Sequence, residues 1–570
     1  MRFPRIDSHI LIVIAFSVFA LAPLTAPGYF IYGHDARHSV YFLQMFDQSF
    51  RDGAWYPRWA ADMVFGYGYP LWIILAPIPF FAGELMHLAG LNFVDAVKMV
   101  DGLAVLFSAL SMYLFASRVL NRNAGLLAAV AYVYIPYHVV DLYVRAAQAE
   151  LVSFVFPPLA LWSFFELART RRTRYVFLGA LAYAGLLLTH IQTAVLFTPV
   201  LGIYILCLLI LSTVSPDRLR FILQAAGSLI LALGLSALFL LPALVERNYL
   251  TSEPLIGGAF DYQKHFVNIS QLLSPFWGYG YAGENGTDQF SLQLGLVAVL
   301  LALTTLWALI KTRGSTRWHI ALFLVLTAGI VVAMVPVSVA LWKPFAGIMA
   351  YVQFPWRMLG MTAIGLAFLS GAALYAFEAE SQDGPLGLLP ALALVLVFVL
   401  STYPYTEPQH TDAVFNYQTQ MDFEVKDGEL LGDTVWMEPG KRPADSPLVP
   451  EYRSGQPLVK AVALDGGATV KTLRHGGQSD EIQVQGNAPA RVLFYTRYFP
   501  GWTATLDGTT IPVKPYGEQG LIVVDVPAGA HSVLLRFEDT PIRQMGLYVS
   551  VGALVIIILG LVYTRAREGS

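Results

Sequence analysis

The sequence predicts a polytopic α-helical membrane protein, with about 12 spanning helices and one β-sandwich-like domain inserted before the last helix. Hydrophobic residues make up 56% of the 570 residues and charged residues only 13%, which is too apolar for a chain surrounded by water. Apolar runs approaching the roughly 20 residues of a membrane helix recur along the chain, whereas a transmembrane barrel shows short alternating segments. A polar stretch rich in Gly and Pro separates the final apolar run from the others.

Clusters of basic residues orient the predicted spans, because Lys and Arg in short loops favour the cytoplasmic side. The first cluster contains Arg2 and Arg5 and the last contains Arg565 and Arg567, so both termini are predicted to be cytoplasmic. The chain is then a multi-pass protein of the plasma membrane. Spans are predicted near residues 8–26, 95–118, 123–142, 150–168, 175–190, 192–211, 221–245, 291–310, 318–341, 357–377, 385–403 and 542–563.

The apolar stretch 69–91 is excluded from these spans and predicted to be re-entrant or juxtamembrane. Counting it as a span would move every later basic cluster to the outside. Pro70, Pro77 and Pro79 support its exclusion, because prolines interrupt helical hydrogen bonds that lipid cannot replace.

Three segments are predicted to face outward: residues 27–94 (the first loop), 246–290 (the second loop) and 404–541 (the β domain). The chain thus divides into a transmembrane domain at 1–403, an extracytoplasmic β domain at 404–541, and a final helix and tail at 542–570. In the β domain Asp507-Gly508 predicts a hairpin, and an antiparallel sandwich is favoured. Alternating runs predict strands near 468–473, 481–485, 491–495, 521–526 and 532–537.

Several functional classes are disfavoured by composition. The net charge of -3 and the lack of a basic patch interleaved with aromatic residues argue against nucleic acid as a partner. The single cysteine, Cys207, supplies neither a disulfide framework nor a cysteine-based metal site. Residues 278–283 (GYGYAG) match the dinucleotide-binding pattern, but no strand and helix flank them, so a flexible loop is predicted.

Ionisable and aromatic residues are concentrated just after the first span. His34, Asp35 and His38 follow it directly, and Arg58 lies further along the first loop. A partly desolvated carboxylate at position 35 could act as a general base on a hydroxyl group, or it could merely cap the following helix. The two histidines and Asp35 could also bind a metal, although HDxxH is a weak zinc pattern.

A second group of candidates lies at the predicted outer ends of later helices. Arg145 and Glu150 share a short turn, where they could bind a phosphate and assist a base, or form an interfacial ion pair of little energetic weight. His190 ends another predicted span. Trp356 and Arg357 could recognise a lipid phosphate, whereas snorkelling to ordinary headgroups is the alternative.

An acidic residue directly after helix one, followed by a Trp/Pro-rich stretch, resembles the C-type (GT-C) membrane glycosyltransferases. More of the chain is similar to the YfhO-like group of that superfamily, whose bacterial members are labelled "6-pyruvoyl-tetrahydropterin synthase-related". The C-terminal motifs and the single helix after them also look like that group's outer β domain. The stretches that carry this resemblance are Asp35, 53–57, 66–72, 145–150, His190, 353–357, 498–502, 506–508 and 526–531.

The resemblance implies a GT-C-like fold that transfers a sugar from a polyprenyl-phosphate-linked donor to an extracytoplasmic acceptor. Asp35 would be the catalytic base and Glu150 a second catalytic acidic residue, with Arg357 and Arg145 holding the donor phosphate. A divalent cation, Mg or Mn, could bind at Asp35 and Glu150. The remaining substrate-binding candidates are His190, His34, His38, Trp356 and Arg58. The pterin label implies no chemistry here, because no soluble zinc-dependent domain is evident.

The acceptor could be a glycan, a lipid or a protein, and membrane lipid is a further expected partner. One alternative is a transporter of lipid-linked sugar or polysaccharide, which requires charged groups along a pathway near the midplane. Another is a non-catalytic factor for envelope-glycan assembly, in which the β domain binds the glycan.

Overall fold

The computed structural model describes residues 7–30, 32–211, 215–251, 256–380, 387–427, 433–441 and 446–568. Arg2 and Arg5, on which the predicted orientation of the N-terminus depends, lie outside these residues, as does the side chain of Arg567.

The chain is a helical membrane protein with a β-sheet domain before its last helix, as predicted. Among the described residues, seven helices are long and apolar enough to cross a membrane, and a pair bent by 42° would be an eighth. The other predicted spans coincide with shorter apolar helices, so the total of 12 stays a prediction. The helices at the predicted spans are Ser8–Ala20, Phe93–Val119, Arg122–Tyr134, Phe156–Thr170, Arg174–Leu187, Ile191–Leu211, Ser215–Leu235, Ala237–Glu246, Leu296–Lys311, Gly314–Met334, Leu359–Glu380, Leu389–Thr402 and Pro541–Glu568.

The stretch at 69–91 forms two short helices, Leu71–Ile74 and Ile78–Leu88, and not one continuous span. Pro70 and Pro77 directly precede these helices, where proline fits a first turn but cannot continue an existing helix. The amide of Ile78 donates to the carbonyl of Leu188 at 3.0 Å, which ties this segment to the helix bundle.

The β domain is a sandwich of two antiparallel sheets. Apolar residues from both sheets share one core, which includes Phe494 and Ile522 of the four-stranded sheet and Val533 and Leu535 of the five-stranded sheet. The strands of the sandwich begin at Ala461, and the part of the predicted domain before them contains the helices Tyr417–Asp427 and Leu448–Ser454 and the short strand Asp433–Thr434. In sheet order, the strands are Ala461–Ala463, Ala490–Arg497, Leu521–Val526 and Lys514–Tyr516, and then Thr469–His475, Ser479–Gly486, Gly529–Phe537, Trp502–Leu506 and Thr509–Ile511.

The first loop is built into the β domain. The ring of Trp59 is buried and packs edge-on against Trp502, with 5.2 Å between ring centroids, and lies equally close to Phe537. The Asp62 carboxylate accepts a hydrogen bond from Nε2 of His475 at 2.8 Å. Loop and domain therefore share one core.

The second loop joins the same assembly, because its strand Leu250–Thr251 pairs with Asp433–Thr434. The three segments predicted to face outward thus meet at one end of the helices. At the other end of the helices Phe93–Val119 and Phe156–Thr170 lie basic side chains. There Arg118 and Arg169 donate hydrogen bonds to Glu166 at 2.7 and 2.8 Å. Arg118 and Arg169 therefore lie at the helix ends opposite to the predicted outward segments.

Candidate functional site

The centre of the candidate site is the break after helix Arg122–Tyr134. Ile135 precedes a proline and adopts an extended conformation, which ends that helix. A short helix and a π-turn at Asp141–Arg145 follow, and the π-turn ends in Ala146 with φ of 49°, a left-handed conformation that is costly for a residue with a Cβ. The next helix, Gln148–Ser153, starts at once. This irregular turn directs Arg145 and Glu150 toward each other.

Arg145 and Glu150 form the core of a buried hydrogen-bonded network. Nη1 of Arg145 donates to Oε2 of Glu150 at 2.7 Å and also to Asp141. The hydroxyl of Tyr137 donates to Oε1 of Glu150 at 2.7 Å. Arg145 and Glu150 are only 4% and 3% exposed, so this is no surface ion pair. Removing one partner of such a buried pair is costly.

Arg357 reaches the same network from another part of the chain. Its Nε lies 4.0 Å from Oε2 of Glu150, and its Nη1 donates to the side chain of Gln353 at 3.1 Å. Nε is buried and has no hydrogen-bond partner among the described residues. Trp356 covers the neighbouring cation, since its ring centre lies 4.8 Å from the guanidinium carbon of Arg145. Arg357 therefore keeps donor capacity for a ligand.

Asp35 is brought to this network by its backbone. The amides of His34 and Asp35 donate to the carbonyls of Val144 and Arg145 at 3.2 and 2.8 Å. Gly33 permits this approach, because a Cβ at that position would lie 2.8 Å from the Cβ of Ala146. The first loop is thus fixed directly on the turn that carries Arg145.

The side chain of Asp35 is exposed although its backbone is docked. Asp35 stands at the N-cap of helix Ala36–Arg51, yet its carboxylate makes no capping hydrogen bond, which disfavours the simple helix-cap alternative. Its charge interacts with the guanidinium groups of Arg145 and Arg357 and with His190. Asp35 therefore shares one electrostatic environment with the buried network.

Two of the predicted histidines lie at this site. His190 accompanies Glu150, with which it interacts electrostatically, and its Nδ1 lies 2.7 Å from the hydroxyl of Thr193. His34 binds the carbonyl of Gly280 through Nε2 at 2.9 Å. Burial lowers the pKa of His34 and the charge of Arg145 lowers it further, which outweighs the opposing effect of Asp35. His34 is therefore neutral at pH 7.

The other two predicted residues have different surroundings. His38 packs its ring against Phe42 and Phe423, with ring centroids 5.5 and 5.4 Å away. Arg58 pairs with Asp539 at 3.3 Å, just before the last helix, and its Nη2 donates to the carbonyl of Leu238 at 3.1 Å. These contacts give Arg58 a structural role in joining the first loop, the helix bundle and the start of the last helix.

Sequence reasoning missed Tyr137 and Asp141. Both lie in an apolar stretch, and both side chains are buried in the network around Arg145. Their position just after Pro136 was the available signal, because a proline that breaks a span exposes backbone and side chains for polar contacts.

The surroundings of Glu150 show whether Asp35 and Glu150 can bind the expected divalent cation. Both carboxylate oxygens of Glu150 accept hydrogen bonds, one from Tyr137 and one from Arg145. Two guanidinium groups also lie beside it and would repel a metal ion. In the described part of the chain, no three His, Cys, Asp or Glu side chains converge as a metal site. The donor set at Asp35 and Glu150 therefore does not fit a divalent cation.

Comparison with known proteins identifies the family. A family model described as "6-pyruvoyl-tetrahydropterin synthase related domain; membrane protein" matches residues 74–403, which is more than half of the chain. The chain belongs to this family. The match includes the network of Arg145, Glu150 and Arg357, and it ends before the β domain. The family predicted from the sequence is thereby confirmed.

Two further comparisons found more distant similarities. An uncharacterized protein of Lactococcus lactis subsp. cremoris (strain MG1363) is 23% identical over 249 residues, which are 43% of this chain and 40% of that protein. The match thus spans well under half of that relative's length.

Solved structures of glycosyltransferases are also similar. The arabinofuranosyltransferase AftD from Mycobacteria gives a TM-score of 0.45 at 16% identity, over 75% of this chain and 29% of that one. The Archaeoglobus fulgidus oligosaccharyltransferase gives 0.44 at 12% identity, over 79% and 60%. The arabinosyltransferase EmbB from Mycobacterium smegmatis gives 0.35 at 12% identity, over 95% and 66%. Likeness at this level carries no argument about activity, for which the site itself is the basis.

Proposed function

We propose that this protein is a membrane glycosyltransferase that transfers a sugar from a polyprenyl-phosphate-linked donor to an acceptor hydroxyl group at the extracytoplasmic face. One observation carries the proposal: Asp35 is exposed and is fixed by its backbone on the turn that carries the buried Arg145. Its charge interacts with the guanidinium group of Arg145 and with that of the partly buried Arg357. A base next to a bound anion is the arrangement that glycosyl transfer from a phosphate requires.

In this mechanism the hydroxyl oxygen of the acceptor attacks the anomeric carbon of the donor sugar. Asp35 accepts the proton of that hydroxyl group. The bond from that carbon to the phosphate oxygen breaks, and polyprenyl phosphate leaves. Arg357 holds the phosphate through Nε, the buried donor that has no partner among the described residues. Its charge stabilises the negative charge that grows on the leaving phosphate.

Glu150 fits a positioning role better than that of a second base. Both of its carboxylate oxygens accept hydrogen bonds, and it holds Arg145 in place and lies close to Arg357. Such a buried counter-ion keeps two guanidinium groups in a fixed arrangement before the substrate binds. Trp356 and His190 border the same network and would contact the donor.

The test is transfer of radiolabelled sugar from a panel of polyprenyl-phosphate sugars by the full chain in proteoliposomes. Asp35→Asn should lower turnover by about 10²- to 10⁴-fold, the usual effect of losing a general base. The matched control is Asp525→Asn, because that exposed carboxylate pairs with Lys514 on the β domain. Full turnover by Asp35→Asn would refute the base assignment. Movement of labelled lipid across the bilayer without a new glycosidic bond would instead support a transporter.

A further inference from the structure

The glycine-rich loop at residues 278–283 is folded against the segment that follows it. The amide of Gly280 donates to the carbonyl of Gln289 at 3.1 Å, and the amide of Gln289 donates to the carbonyl of Tyr281 at 3.0 Å. A Cβ at Gly280 would lie 2.4 Å from the Cβ of Gln289. The glycines thus serve close packing, and the loop has fixed contacts where the sequence predicted flexibility.

This loop connects the two halves of the candidate site. The carbonyl of Gly280 accepts a hydrogen bond from His34, the residue next to Asp35. The carbonyl of Gly283 lies 3.2 Å from Nδ1 of His265, whose ring packs edge-on against Phe354, with centroids 4.7 Å apart. Phe354 in turn lies under the guanidinium of Arg357 at 5.2 Å. The loop therefore spans from the proposed base to the proposed phosphate ligand.

Tyr281 is the exposed side chain that the loop presents. Its ring stacks on His34 with centroids 4.7 Å apart and an interplanar angle of 24°, yet Tyr281 is 66% exposed. One face of the tyrosine is covered by the histidine and the opposite face is open. The edge of Phe290 fixes His34 from another side, at 5.5 Å. The tyrosine that presents this open face is thus stacked on His34, the residue that directly precedes Asp35.

We propose that Tyr281, held against His34, is the platform for a sugar ring of the acceptor, so that the acceptor of the proposed transfer is a glycan. This inference rests on the proposed function. The C–H groups on one face of a sugar ring pack well on an aromatic face, while hydroxyl groups project from the ring edge. A ring on Tyr281 would direct such a hydroxyl group toward Asp35. An acyl chain in the same place would lie against an exposed carboxylate, which disfavours a lipid acceptor.

The test measures sugar binding without any donor, by saturation-transfer NMR on the full chain in nanodiscs free of sugar-based detergent. The probes are the methyl glycosides of glucose, galactose, mannose, rhamnose and N-acetylglucosamine. Tyr281→Ala should weaken binding of the recognised probe by about three- to tenfold, the size expected for one aromatic contact. Tyr281→Phe should bind normally, because it keeps the aromatic face. Tyr516→Ala should also bind normally, since that tyrosine is 40% exposed but lies on the β domain.

The outcomes separate this inference from the proposed function. Equal binding by wild type and Tyr281→Ala, or binding of none of the five probes by wild type, would overturn the platform. Tyr281-dependent binding supports it. If such binding occurs while wild type transfers no sugar from any polyprenyl-phosphate donor, the platform stands and the proposed transferase activity fails.

Discussion

Asp62→Asn tests the buried contact that joins the first loop to the β domain. His475 lies between two carboxylates, with Nε2 at 2.8 Å from Asp62 and Nδ1 at 2.5 Å from Asp480. Both ring nitrogens face acceptors, so the imidazole must be protonated to donate to both. Lys460, Tyr452 and Tyr417 also interact with these carboxylates. The substitution keeps an acceptor at position 62 and removes its charge.

The pKa of His475 gives the pH range of the effect. Burial alone would lower this pKa, but Asp480 and Asp62 outweigh both burial and Lys460 and raise the pKa from 6.5 to about 9. The cationic contact therefore stabilises the fold fully below pH 6.5 and loses its contribution as the pH rises through about 9. The pKa of Asp62 is lowered from 3.8, so its contribution is lost only as the pH falls below that value.

The expected magnitude follows from the charge and burial of the contact. A hydrogen bond between ionised groups contributes roughly 1.5–3 kcal/mol, and neutral ones about half of that. For a cooperative unit of about 150–250 residues this corresponds to a fall in apparent Tm of about 3–12 °C. The coupling between Asp62→Asn and His475→Gln in a double-mutant cycle should be largest near pH 6 and should fall by at least half at pH 10.

Thermal unfolding monitored by tryptophan fluorescence in nanodiscs provides the measurement, because Trp59 and Trp502 lie in the shared core. Asp507→Asn is the matched control. That residue also binds a histidine, His531, at 2.7 Å, but the pair lies on the surface, where such contacts contribute about 0–1 kcal/mol. An Asp62→Asn effect as small as that of Asp507→Asn, or a coupling energy that is the same at both pH values, would refute the reasoning.

Three further predictions concern the site and its orientation. Arg357→Ala should lower kcat/KM for the donor by about 10- to 150-fold, the loss expected for a charge-assisted hydrogen bond, and Arg357→Lys should recover only part of it; equal activity of wild type and Arg357→Ala in the transfer assay would contradict the phosphate role. Glu150→Gln should destabilise the fold by about 1.5–3 kcal/mol, because Arg145 loses one of its two carboxylate partners and keeps only Asp141, and an apparent Tm unchanged from wild type would disprove this. With Cys207 replaced by Ser, a cysteine introduced at Thr509 of the β domain should react with an impermeant maleimide on intact cells and one at Lys311 should not; the reverse pattern would invert the proposed topology.

Hydropathy predicted the positions of the helices well, because each helix is formed by a continuous apolar run of the sequence. The predicted break at His190 separates Arg174–Leu187 from Ile191–Leu211, although both helices are apolar. The strand at Leu521–Val526 coincides with its predicted run, although its burial does not alternate: every residue except Asp525 is buried. A short apolar run is a local property of the sequence. That Asp35 and Arg145 lie close together was also expected, because the basic clusters predict that both residues are on the outer side of the membrane.

The sequence did not predict which residues far apart along the chain contact each other. His38 and Asp35 are three residues apart, yet the helix that begins after Asp35 turns His38 toward Phe423, far along the chain. Asp141 lies in an apolar run in which only the preceding Pro136 gives a signal, and the π-turn brings it to Arg145. Similarly, nothing in the pattern of the first loop indicates that its Trp59 completes the core of a domain encoded at the other end of the chain.

The bond from Asp62 to His475 joins residues 413 positions apart, and this separation has a consequence for biogenesis. At about 5–20 residues per second, the ribosome needs about 20–80 s to reach His475 after it has made Asp62. During that interval the part of the β domain that packs against Trp59 is incomplete. The first loop, which carries Asp35, then lacks its contacts with that domain. The end of this protein that carries the candidate site can therefore mature only after His475 has been synthesised, and a truncation that removes the β domain should leave an inserted helix bundle whose first loop is a substrate for proteases.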